Sequence, residues 1–104
     1  MRVYIKSMRN NIDAVGEYNI KTKELIVLKN SLISENIAYS ETFRGANSVE
    51  KQRQDKVKGN ILLEDVKFKS SSTAANFVTG RSTNGLVTWK NKNGKTIKEI
   101  INEG

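Results

Sequence analysis

From Arg2 to Lys29 apolar and polar side chains trade places at roughly every second position, a period that makes extended backbone the expected state of this stretch. Val3 and Ile5 fall on one face of a first strand, and Met8 to Asn11 reads as a turn. Asp13 to Ile20 alternates again and sets Ala14, Gly16 and Tyr18 on one side. After the polar break Lys21-Thr22-Lys23, the run from Glu24 to Lys29 opposes Leu25 and Val27 to Ile26 and Leu28. Three such runs joined by short polar turns predict an antiparallel meander. Asn30 ends it, a residue that tolerates positive φ.

Beyond residue 30 the period changes. Residues 31–47 are polar and weakly patterned, and a loop is expected there. Ser48 is a candidate cap for a surface helix from Val49 to Lys58, with Gly59 to end it. Ile61-Leu62-Leu63 and Val66-Lys67-Phe68 then resume a buried, extended path. In Ser70-Ser71-Ser72-Thr73-Ala74-Ala75-Asn76-Phe77-Val78-Thr79-Gly80 the serines supply an N-cap and Gly80 a C′ residue, while Ala74, Phe77 and Val78 share a helical face. Asn84-Gly85 predicts a type I′ turn into a short strand, Leu86-Val87-Thr88-Trp89, and Asn91 to Gly94 turns the chain again. Thr96 and Glu99 have capping-box spacing and start a closing helix that faces Ile97, Ile100 and Ile101 inward. The expected fold class is α+β: an N-terminal three-stranded antiparallel meander, then short helices near 49–58, 71–79 and 97–103 and a small β element.

The chain of 104 residues has room for one domain. Within it, residues 1–30 form the meander, 31–66 the loop and surface helix, and 67–104 a basic segment; a longer parent protein is compatible with that division. No apolar run is long enough to span a bilayer, and no signal-peptide core is visible, so a cytoplasmic location without membrane contact is expected.

Cysteine and histidine are both absent. That excludes a disulfide framework, thiol nucleophiles, zinc sites built from Cys or His, and the Ser-His-Asp arrangement. A metal would need to be a hard cation held by carboxylates and carbonyls. The candidate carboxylates, Glu35, Glu41, Glu50, Asp55, Glu64 and Asp65, show no paired spacing that marks a metal-dependent nuclease. No catalytic residue, metal or other cofactor is therefore expected.

Charge is placed unevenly. Residues 67–104 carry seven Lys/Arg against two acids, so they hold +5 of the net +7. A concentrated positive field attracts polyanions, although a net charge of this size also serves plain solubility.

The run Ser70-Ser71-Ser72-Thr73-Ala74-Ala75, then Gly80-Arg81-Ser82-Thr83-Asn84-Gly85, then Trp89-Lys90 and Gly94-Lys95-Thr96-Ile97 resembles a bacterial family, domain of unknown function 4357. That family is similar to the RAMA (restriction enzyme adenine methylase associated) domain. The resemblance implies an accessory domain fused to GIY-YIG-type nucleases and modification enzymes, with DNA contact rather than catalysis as its role. Ser71 stands where that motif usually has proline, Asn30 where glycine is common, and Leu86 where the first of two tryptophans would offer a stacking surface.

Candidate nucleic-acid-binding residues are Lys67, Lys69, Ser70, Arg81, Asn84, Lys90, Lys92 and Lys95. The cations suit phosphates, and a helix starting near Ser71 would add backbone N–H groups beside them. Asn84 has the chemistry to read adenine, yet a turn accounts for it; Ser70 is first of all a cap. Trp89 suits core packing before base stacking. The leading expectation is weak, salt-dependent binding of DNA, with a fused or separate nuclease or methylase as partner. The alternative is a protein-interaction module that docks onto such a partner through the open face of the meander.

Overall fold

The two-residue alternation folds as strands. In the computed structural model, which describes residues 1–37 and 46–103, β1 (Arg2–Ser7), β2 (Ile12–Tyr18) and β3 (Leu25–Val27) form an antiparallel meander. Val3 opposes Gly16 and Ile5 opposes Ala14, so these residues share one face of the sheet. Asn30 takes φ 75° at the exit. Residues 38–45 of the expected loop, Glu41 included, lie outside the described residues. Ser31 to Ile37 are not a plain surface loop: Ile33 is fully buried, and Leu32 bridges Asp13 to Ile61.

Two elements then depart from expectation. The surface helix α1 is Ala46–Arg53, earlier than predicted, and Ser48 lies inside it rather than capping it. Asp55 at φ 66° breaks the helical path, and Gly59 turns a hairpin between β4 (Val57–Lys58) and β5 (Ile61–Leu62) instead of ending a helix. With only Val49 and Val57 apolar in the predicted span, little burial opposed that switch. Leu62 is core, while Ile61 and Leu63 are exposed as alternation on a strand requires. Val66–Phe68 is extended as expected, with Val66 and Phe68 buried; as β6 it joins β3 antiparallel and completes a four-stranded sheet of order β1-β2-β3-β6.

The helix α2 (Ser71–Thr79) lies against β2, β3 and β6. Ser70 Oγ accepts from Thr73 N at 3.1 Å, and Gly80 closes the helix at φ 71° with its N–H on the Asn76 carbonyl. Ala74, Ala75, Phe77 and Val78 are fully buried, and the two alanines let the helix sit close to its neighbours. Phe77 meets Phe68 at 5.0 Å between ring centroids. Burying side chains of this size stabilises a fold by about 1.5–3 kcal/mol each.

Leu86 to Trp89 is not a strand. Gly85–Thr88 makes one helical turn, α3, which the Asn84 side chain caps by accepting from Leu86 N at 3.0 Å. Asn84 has φ −82°, so it is a cap and not part of a type I′ turn. The closing helix α4 (Ile97–Glu103) carries the expected reciprocal box: Glu99 N donates to Thr96 Oγ1 at 3.2 Å, and Thr96 N to Glu99 Oε1 at 3.3 Å. Ile97 is fully buried, Ile100 is half-buried and Ile101 is 39% exposed, so the inward face of α4 is narrower than predicted. Among the described residues no helix is long and apolar enough to cross a membrane.

Candidate nucleic-acid interface

The outer edge of β1 is closed at one point. Tyr4 N donates to the Lys90 carbonyl at 2.7 Å, and Lys90 N donates to the Tyr4 carbonyl at 3.1 Å. Backbone groups alternate in direction along a strand, so those of Lys6 point the same way as those of Tyr4. Continuing the antiparallel register from Tyr4 and Lys90 would set Thr88 opposite Lys6. Thr88 instead belongs to α3, where its hydroxyl donates to the Asn84 carbonyl at 2.7 Å. The helical turn thus withdraws the pairing partner and leaves a gap beside Lys6.

That gap is a cleft of about 740 Å³. The β1–β2 hairpin supplies Tyr4, Lys6 and Asn10. The end of α2 and the segment after it supply Thr79, Arg81 and Thr83. Val87, Thr88 and the turn from Lys90 to Gly94 form the third wall. Each wall is held locally. Thr79 and Thr83 share a hydroxyl–hydroxyl bond of 2.9 Å, Thr83 N donates to Asn76 Oδ1 at 2.8 Å, and Thr83 Oγ1 donates to the Arg81 carbonyl at 3.0 Å. On the opposite side Asn91 Oδ1 accepts from Asn93 N and Lys95 N, at 2.9 and 3.0 Å, and so ties the turn.

Among the described residues four cations, Lys6, Arg81, Lys90 and Lys92, line the cleft, and no carboxylate does. Among the described residues none of the four is in an ion pair. Elsewhere on the outer face of the sheet cations are paired. There Arg2 Nε meets Glu17 Oε2 at 2.8 Å, and Lys67 Nζ meets Glu24 Oε1 at 3.3 Å. Partial burial acts to raise the Glu17 carboxyl, but hydrogen bonds and charge from the Met1 amino group and Arg2 outweigh it and hold the group below its usual range. Arg2 and Lys67 on the outer sheet face are therefore paired, whereas Lys6, on the same face and opposite Asp13 in the β1–β2 register, is in no ion pair among the described residues.

Of the residues singled out from sequence, Arg81, Lys90 and Lys92 converge here. Lys67 is on β6 beside Glu24, and Lys69 and Ser70 precede the first turn of α2. The cleft meets α2 at Thr79, its other end, about 13 Å away along a nine-residue helix. The N–H groups at the start of α2 therefore do not face the converged cations. Asn84 caps α3, and Lys95 follows the turn without lining the cleft.

Tyr4, Lys6 and Asn10 escaped sequence reasoning because the charge count pointed to the last third of the chain. Strand alternation did contain a signal, since it puts Tyr4 and Lys6 on the face opposite Val3 and Ile5. Of the candidate carboxylates, Glu35, Glu50, Asp55, Glu64 and Asp65 do not line the cleft. Glu35, Glu50 and Asp55 line a separate depression with Lys51 and Arg53, and Asp65 Oδ1 accepts from Lys29 N at 2.7 Å.

No curated protein and no solved structure gives a significant match to the chain. A family model does: it covers residues 3–101, and the chain belongs to that family, the domain of unknown function DUF4357.

Proposed function

We propose that this chain is a non-catalytic nucleic-acid-binding module, for DNA ahead of RNA, serving a restriction- or nuclease-type system. The observation that carries this reading is the convergence of Lys6, Arg81, Lys90 and Lys92 on one cleft whose lining, among the described residues, has no carboxylate. Cations arranged in this way attract a phosphate backbone and gain by releasing its counterions. Contacts of that kind position a ligand and read little sequence. The chemistry would come from a fused or separate nuclease or methylase, since this chain has neither histidine nor cysteine.

The test is fluorescence anisotropy of a short labelled duplex at several salt concentrations. Each neutralised phosphate contributes about −0.9 to the slope of log K against log salt, so four contacts give about −3.6, with a Kd of roughly 10⁻⁴–10⁻⁶ M. Replacing Lys90 and Lys92 with alanine weakens binding to all sequences alike and flattens the slope by about two units. Absence of binding at low salt, or indifference to salt, would overturn this reading. A docking module would then take its place, a role favoured by Val15 and Ile26, which are only half-buried on the outer sheet face.

A further inference from the structure

We infer that the cleft takes single-stranded nucleic acid, with one unstacked base inside and its flanking phosphates on the surrounding cations. This rests on the phosphate-binding reading and adds the form of the strand. The shape of the cleft is the first argument. A double helix keeps its bases stacked inside and offers a cleft only its backbone, whereas a single strand can place a base within one, and here Lys6, Arg81, Lys90 and Lys92 line a concavity of about 740 Å³. That volume lies within the roughly 300–1,000 Å³ of pockets that enclose small molecules. It suits a base with its sugar.

The lining is the second argument. Tyr4 offers a half-exposed ring, and Val87 adds apolar surface from α3. The Lys6 ammonium lies 5.6 Å from the Tyr4 ring centroid, a contact that is weak at an exposed site. A base stacking on Tyr4 takes the place of that ammonium and frees Lys6 for the next phosphate. The backbone of Lys6 and the side-chain amide of Asn10 supply donors and acceptors along the walls, and the Asn91 Nδ2 a donor, without a fixed base code. Stacking plus a cationic track is how strands are held with little sequence preference.

The experiment compares a labelled thymidine oligonucleotide of about ten nucleotides, a duplex of equal length and a polyglutamate peptide of equal charge, on the full chain. The single strand is expected to bind at least about fivefold more tightly than the duplex, with a salt slope of about −2.8 from four contacts at about −0.7 each. Tyr4→Leu should lower single-strand affinity about tenfold and by more than it lowers duplex affinity, while Tyr4→Phe, which keeps the ring, retains single-strand affinity. Equal or tighter binding of duplex that still depends on Lys90 and Lys92 overturns the single-strand inference and leaves the phosphate-binding reading standing. Displacement of the oligonucleotide by the peptide at equal charge, or no binding of either nucleic acid, overturns both.

Discussion

The indole N–H of Trp89 donates to the carbonyl of Ser71 at 3.0 Å, and the ring is fully buried. One side chain thus ties the segment after α3 to the first residue of α2, inside the core. Trp89→Ala should destabilise the domain by about 3–5 kcal/mol through lost burial and the cavity it leaves. Trp89→Phe should cost about 1–3 kcal/mol, because a smaller ring fills most of the space but leaves the polar contact unmade. Urea unfolding followed by circular dichroism measures both; an Ala variant as stable as the parent would remove Trp89 from the core.

Gly85 sits against the same residue. A Cβ there would overlap the Ser71 carbonyl and the Ser72 nitrogen, both backbone atoms that cannot swing aside. Gly85→Ala should therefore push α3 away from α2 at a cost of about 1–3 kcal/mol. A lower thermal midpoint, with the cleft variants' salt slopes disturbed as well, is the expected result, since α3 also supplies Val87 and Thr88 to the cleft.

Arg53 joins α1 to the rest of the domain. Its guanidinium donates to the Phe77 carbonyl at 2.6 and 3.1 Å and to the Ser34 carbonyl at 2.8 Å, and lies 5.7 Å from the Phe77 ring centroid. The planar fork serves several acceptors at once, which an ammonium does not reproduce. Arg53→Lys should cost about 1.5–3 kcal/mol despite keeping the charge. Calorimetry that finds the lysine variant unchanged would show that charge alone suffices.

Ser70 belongs to stability rather than to ligand contact. Ser70→Ala should remove about 1 kcal/mol by leaving Thr73 N without its acceptor, and Ser70→Asp should restore it. Neither should change the affinity for DNA. An affinity loss without a stability loss would return Ser70 to the interface.

The cations should divide along the same line. Alanine at Lys6 or Arg81 is expected to flatten the duplex salt slope by about 0.9 each. Alanine at Lys67 and Lys69 together should shift it by much less, because they stand at the far end of α2 and Lys67 is engaged with Glu24. Equal effects in parallel titrations would mean that the whole basic segment acts as one diffuse field.

What the sequence determined by itself is local. The period of two in residues 2–28 specifies which faces of β1, β2 and β3 are buried, because a one-residue slip would turn every apolar side chain into water. Ser70, Gly80 and the Thr96–Glu99 box mark helix ends through hydrogen bonds that span only three or four residues. The core position of Trp89 follows from its size.

Tertiary structure decided the rest. Leu86-Val87-Thr88 is β-prone, yet the Asn84 cap and the packing of Gly85 on Ser71 hold it in a helical turn. Val66–Phe68 became a fourth strand because β3 still had an edge to fill. The cleft exists because that helical turn cannot pair with Lys6 while Lys90, next after Trp89, pairs with Tyr4. Its cations come from both ends of the chain, and only a long-range strand register brings them together.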